Sequence, residues 1–270
     1  MTIAELHGKI SHTGTNLHDQ LEDLLTSDVF SASKYVRPAA LLIPFLRTSV
    51  DLNGVSAAEH LSEKVHGVEY RFWPMMEHCE PDVLIDLHIE GGKHTLVMVE
   101  AKYYSTKSGG PMELEELEVA QAPSDQLAIE YLDLLHAHRH FGLNSEDIQY
   151  RCLIYLTAHR ILPKQALQES LAEISHFAPS GDVYLFWTSW FKIQPLLTDS
   201  TGWLPWEGPI LQDLSMLMER KGLIAFQGFR PLASLNQIRE TPIYVRARKN
   251  YFEQIQRVPS LLALYQKGTL

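Results

Sequence analysis

Residues 80–104, EPDVLIDLHIEGGKHTLVMVEAKYY, carry two apolar-rich runs divided by Gly91-Gly92 and the polar pair Lys93-His94. Two such runs around a glycine pair predict a β-hairpin. Side chains alternate faces along a strand, so each run sorts by parity. Val83, Ile85, Leu87 and Ile89 fall on one face of the first run, and Asp82, Asp86 and His88 on the other. In the second run Val97, Val99 and Ala101 share a face, opposite Glu100 and Lys102. Each strand is therefore expected to have a dry side and a charged side. A turn centred near residues 91–93 sets Asp82 opposite Glu100, at the end of the hairpin away from the turn. Lys102 joins them there.

Two neighbouring carboxylates repel, and a hard divalent cation bound through oxygen relieves the repulsion. Such an ion activates a water and neutralises a phosphate under attack. A lysine beside it can hold the water or stabilise developing negative charge. Pro81-Asp82 and, 18 residues after Asp82, Glu100-Ala101-Lys102 make this stretch resemble the PD-(D/E)xK nuclease superfamily. The resemblance implies Mg²⁺ or Mn²⁺ held by Asp82, Glu100 and the Ala101 backbone carbonyl, with Lys102 acting on the water. A surface ion pair on a solvated hairpin edge is the bland alternative.

The flanking segments fit the same family. Residues 15–30 read as a capped amphipathic helix whose Leu17, Leu21, Leu24 and Leu25 form an apolar stripe. The family commonly directs an acidic residue from such a helix at the site; Glu22 lies nearer the stripe, and Asp23 is the alternative. Residues 124–140 read as a second helix, with Leu127, Tyr131, Leu134 and Leu135 buried. Many members carry a Gln here and a Tyr about four residues on. Gln126 and Tyr131 are similar but five apart. Gln126 is expected to hold a phosphate or water. His136 and His140 would share a helix face as a zinc pair, although no third ligand is evident.

Elsewhere the expected elements are broken helices over 36–50 around Pro38 and Pro44, a short helix over 56–65 and a strand over 68–75. Residues 105–124 are polar, with acidic residues at Glu113, Glu115, Glu116 and Glu118. A strand over 149–157, a helix over 163–177, a strand over 181–187 and helices over 188–197 and 209–221 follow. Short aromatic and amphipathic segments are expected over 224–229, 243–248 and 251–264. The αβββαβ order over residues 15–158 is also that of a restriction-endonuclease-like core. The expected fold is α/β, a mixed sheet flanked by helices, with residues 1–180 as the core and 181–270 as a C-terminal elaboration of the same domain.

Composition bounds the rest. The chain has 270 residues, 45% of them hydrophobic, enough to bury a sizeable core. No apolar run reaches membrane-spanning length, and MTIAELHGKI has no apolar signal region, so the expected location is the cytoplasm. Two cysteines, Cys79 and Cys152, argue against a disulfide framework, and the lack of CxxC against a zinc ribbon. There is no P-loop and no Gly-x-Ser-x-Gly elbow.

The net charge of −10 divides unevenly: residues 1–220 sum to −16 and residues 221–270 to +6. The expected partner is DNA, met by Arg246, Arg248 and Lys249; a second copy of the chain or a defence or repair protein is the other expected partner. The expected activity is metal-dependent hydrolysis of phosphodiester bonds in DNA, in restriction, repair or defence against foreign DNA. The alternative is an inactive module of the same fold that binds DNA or a protein. If the C-terminal cations contact phosphates, neutralising Arg246, Arg248 and Lys249 flattens the slope of log affinity against log salt. The change on duplex DNA is up to ~0.9 per lost contact. A salt titration with an unchanged slope assigns them to a solvated face.

Overall fold

Five strands pair into one mixed sheet in the order β1-β2-β3-β4-β5. They are β1 (Val65–Phe72), β2 (Val83–Ile89), β3 (Lys93–Lys102), β4 (Ile148–Thr157) and β5 (Tyr184–Ser189). The first three run antiparallel, and β3, β4 and β5 run parallel. The computed structural model describes residues 17–62, 64–103, 123–177 and 183–224. All of them belong to the first of two units, Met1–Ala225; the second, Phe226–Leu270, lies outside the described residues.

The hairpin turn is tighter than the sequence implies. It is the three residues Glu90–Gly92, and Lys93 already pairs with Ile89. Gly91 and Gly92 have φ of 77° and 70°, a left-handed conformation that glycine adopts without a Cβ penalty. The register then runs to Val83 opposite Val99, so the next pair is Asp82 and Glu100. The expected juxtaposition is present.

Six helices are named in chain order: α1 (Leu17–Lys34), α2 (Leu42–Leu46), α3 (Gln126–His136), α4 (Lys164–Phe177), α5 (Ile193–Leu196) and α6 (Glu207–Arg220). One sheet face, with Val83, Ile85, Val97, Val99 and Ile154, packs on Leu25, Val29 and Phe30 of α1, Phe45 of α2 and Leu214 of α6. The other, with Leu84, Leu96, Met98, Leu153 and Tyr155, packs on Leu127, Tyr131 and Leu134 of α3 and on Leu167 and Ile174 of α4. The described unit is thus an α/β fold of three layers, a five-stranded mixed sheet between helices.

This layering corrects the expectation of a dry and a charged side. Asp86 and Glu100 are as deeply buried as Leu84, Leu96 and Met98 on the same face. A parallel pair needs a crossover, and the helices of β3–α3–β4 and β4–α4–β5 cover the face that hairpin parity alone leaves open to water.

Other differences are local. The helix expected over 56–65 is a single 3-10 turn, Ala57–Glu59, capped by Ser56 Oγ accepting from Ala58 N at 3.1 Å. Val65 is already committed to pairing with Ile89, so β1 begins earlier than expected. It ends at Phe72 because Trp73 turns the chain with φ of 45°. Helix α3 stops at His136 and continues as a 3-10 segment, Ala137–Phe141. His136 and His140 therefore do not share one α-helical face. Helix α6 closes at Gly222 (φ 70°), with Leu223 N donating to Met218 O at 2.9 Å. No helix among the described residues is long and apolar enough to cross a membrane.

One ion pair fixes α6 to the start of the chain's first turn after α1. The buried Glu207 carboxylate accepts Arg37 Nε at 2.9 Å, Arg37 Nη2 at 2.7 Å, and the backbone amides of Arg37 and Leu204 at 2.8 and 2.7 Å. The hydrogen bond from Arg37, outweighing desolvation, holds the Glu207 carboxyl down at about 2. A depressed folded value stabilises the fold above the ordinary value of 4.5 and loses its contribution as pH falls toward about 2. Glu207→Gln is therefore expected to melt below the wild-type protein at pH 7, the gap closing over that acid window in a pH series of thermal melts.

Candidate active site

The end of the hairpin remote from its turn is where five elements meet. Asp82 immediately precedes β2, and its Oδ2 accepts from Ala101 N of β3 at 2.8 Å. Its Oδ1 accepts from Trp73 Nε1 at 3.1 Å, while Trp73 N donates to Asp82 O at 3.0 Å. Residues 73–82 thus form a loop closed at its two ends. Trp73 sits in a left-handed conformation that costs a non-glycine residue of order 1–3 kcal/mol. The loop is held from the far side too, since the Asp133 carboxylate of α3 accepts from the amides of His78 and Cys79 at 2.8 and 3.0 Å.

Lys102 is the centre of charge. Its Nζ lies 2.6 Å from Glu100 Oε1 and 3.5 Å from Glu22 Oε1 of α1. Glu22 Oε2 also accepts from Tyr103 N at 2.6 Å, which ties α1 to the end of β3. The Lys102 carbonyl accepts from Ala158 N and from Nε1 of the fully buried Trp190, each at 3.2 Å. From α3, Gln126 Nε2 donates to Glu100 Oε1 at 2.5 Å. Helix α3 is itself set by Asp125, whose side chain caps Ala128 N and whose amide donates to Glu173 of α4.

The sequence residues Asp82, Glu100, Lys102, Glu22 and Gln126 therefore come together, and Ala101 joins them through its amide. Arg246, Arg248 and Lys249 lie outside the described residues, as does the greater part of the acidic stretch 105–124. Tyr131 goes elsewhere: its hydroxyl accepts from Val183 N at 3.3 Å, ahead of β5. The residue one helical turn after Gln126 is Glu130, buried against Glu100. A phenol does reach the site, from Tyr155, the residue beside Glu100 in the β3–β4 register. Burial pushes its hydroxyl up to about 12, with Lys102 opposing and Glu100 assisting.

Sequence reasoning missed Glu130, Asp133 and Tyr155. Gln126, Glu130 and Asp133 recur at i, i+4 and i+7, one helical face, which is the signal that could have found two of them. The position of Tyr155 depends on a parallel register that no local pattern encodes.

Comparison with known family models, curated proteins and solved structures finds no match. The site must speak through its own electrostatics. Burial, then the charge of Glu100, holds the Asp82 carboxyl well above the usual range, against Lys102 and the Ala101 amide. Burial also lifts Glu130, followed by the charge of Glu100 and a hydrogen bond that protonated Glu130 can give it. Ionised, neither Glu130 oxygen has a hydrogen-bond donor. Burial works against a charged Lys102, but Glu100, Glu22 and Asp82 overcome it and raise its pKa.

Four carboxyl groups thus interact with one ammonium. All their donors are oxygens, the set that suits Mg²⁺ or Mn²⁺, and the uncompensated negative charge is what such an ion would relieve. Lys102 and Gln126 both engage Glu100 Oε1. Without divalent metal, a carboxyl raised in the fold loses stability as pH climbs past its unfolded value near 4.5. Glu130→Gln is therefore expected to melt above the wild-type protein at pH 7 in EDTA, the gain vanishing below the carboxylate range. A lower melting temperature at pH 7 would mean that ionised Glu130 is favourably paired.

Proposed function

We propose that the protein is a metal-dependent nuclease of the PD-(D/E)xK type, hydrolysing phosphodiester bonds in DNA. The observation that carries the reading is the meeting of Asp82, Glu100 and Lys102 at one end of the β2–β3 hairpin, with Glu22 and Gln126 converging on them. The order of elements supports it: helix α1, antiparallel β1-β2-β3, helix α3 and parallel β4 follow the αβββαβ order that this reading expects. Restriction, repair or defence against foreign DNA is the setting this reading suggests.

Asp82, Glu100 and the Ala101 carbonyl would hold Mg²⁺ or Mn²⁺, which supplies Lewis acidity and makes a bound water nucleophilic near neutral pH. The chain does the rest by position. Trp73 and the Ala101 amide fix both oxygens of Asp82, so its direction needs no reorganisation on binding. Lys102 keeps a full positive charge in a buried setting, where it orients a water and offsets charge developing on the phosphate. Glu22 steers that ammonium from α1. Gln126, which donates to Glu100, is the α3 side chain that would hold a phosphate oxygen.

Two substitutions test the reading. Lys102→Met keeps the aliphatic length, and is expected to lower cleavage roughly 100-fold or more while leaving DNA affinity in Ca²⁺ intact. Wild-type cleavage by folded Lys102→Met would sink the mechanism. Asp82→Asn is expected to abolish the rise in melting temperature that Mg²⁺ gives the wild-type protein. Linear, circular, single-stranded and branched DNA all left uncut by a wild-type protein that binds them would instead mark an inactive binding module.

A further inference from the structure

The other end of the same hairpin carries a second constellation, and the nuclease reading makes no use of it. His88 and His94 are partners across β2 and β3, their rings 5.0 Å apart in an edge-on arrangement. Both turn toward Asp86. His88 Nε2 lies 3.0 Å from Asp86 Oδ2, and His94 Nδ1 lies 2.9 Å from both Asp86 oxygens. Among the described residues this is the one group of three or more His, Cys, Asp or Glu side chains whose ligand atoms all lie within 4.8 Å of one another.

The backbone makes room for it. On β1, Gly67 faces His88, and a Cβ there would come within 2.8 Å of His88 Nδ1. Glycine therefore leaves space for the imidazole, beside a bulge between Val65 and Gly67 that lets the edge strand bend. Asp86 is buried, His94 largely so, and His88 is half exposed, so the cluster has a fixed base and an open mouth.

We propose that Asp86, His88 and His94 form a transition-metal site, taking Zn²⁺ or an ion of similar softness. Two imidazole nitrogens and one carboxylate oxygen are the donor set of three-ligand zinc centres, whose fourth position stays open to water. Nitrogen donors disfavour Mg²⁺, which prefers an all-oxygen shell, so the two ends of the hairpin select different ions. Binding ties β2 to β3 next to the turn through the imidazole nitrogens that face Asp86. The site is separate from the carboxylate cluster: Asp86, its ligand nearest that cluster on β2, is four residues beyond Asp82, about 13 Å at ~3.3 Å per strand residue.

The test uses the full chain in excess Mg²⁺, which occupies oxygen-only sites and leaves imidazole ligands free. Equilibrium dialysis against Zn²⁺ is expected to show one tightly held ion per chain. Asp82→Asn is expected to keep it, and the double variant His88→Ala/His94→Ala to lose it with an unchanged far-ultraviolet circular dichroism spectrum. No tight uptake by the wild-type protein, or equal uptake by the folded double variant, would overturn the proposal. Should that variant fail to fold, acylation of wild-type histidines with diethylpyrocarbonate, read by peptide mass, decides the matter. Zn²⁺ is expected to protect His88 and His94 selectively, and modification of both at the metal-free rate would overturn the site. Because Asp82→Asn disables only the carboxylate end, failure of the nuclease reading and failure of this site are distinguishable.

Discussion

A buried ammonium among buried carboxylates is the constraint around which this protein is arranged. Removing one such ion from water costs several kcal/mol, and the cost is offset only where geometry and further hydrogen bonds are good. Lys102 meets Glu100 on its own strand and Glu22 from α1. Gln126 adds a hydrogen bond to Glu100 from α3, and Trp73 and Ala101 serve the two oxygens of Asp82. The contacts come from α1, β3, α3 and the loop before β2, so the cluster is satisfied only when helices on both faces of the sheet and that loop are all in place. The charges thereby help specify one arrangement of layers, although hydrophobic burial supplies the driving force.

The same cluster stays incomplete. Raised carboxyl groups at Asp82 and Glu130 share burial as their leading cause and repulsion from Glu100 as the next, which one lysine does not cancel. Structural ion pairs tend toward balance, whereas sites that receive a cation carry spare negative charge. Backbone strain at Trp73, next to the residue whose carboxylate it holds, belongs to the same pattern: unfavourable local terms gathered where the proposed chemistry lies.

The hairpin places two contrasting donor sets at its two ends. Asp82 and Glu100 offer oxygens only, joined by Glu130 from α3, and the turn end offers imidazoles around Asp86. One face of β2 and β3 carries both sets because alternation places residues 82, 86 and 88 on the same side. Helix α3 divides its service between the site and the loop, Gln126 and Glu130 facing Glu100 and Asp133 clamping His78 and Cys79. The strand pair is thus a rigid rail on which the proposed ion sites are spaced.

The sequence by itself determined what local periodicity can carry. Alternation in residues 80–104 and the Gly91-Gly92 pair set the hairpin and the facing of Asp82 and Glu100, because strand parity and turn geometry are short-range properties. Helical spacing placed α1, α3, α4 and α6 within a few residues of their observed bounds. Glu22 and Gln126 were legible only because a family resemblance directed attention to those helices. Tertiary structure alone decided that the charged face is buried, since that follows from crossovers and layer packing between residues far apart in sequence. It alone chose Glu130 over Tyr131 as the side chain against Glu100, and brought Tyr155 alongside through a parallel register. The sequence names the ionisable groups, but their protonation depends on burial and neighbouring charge, which exist only once the layers have closed.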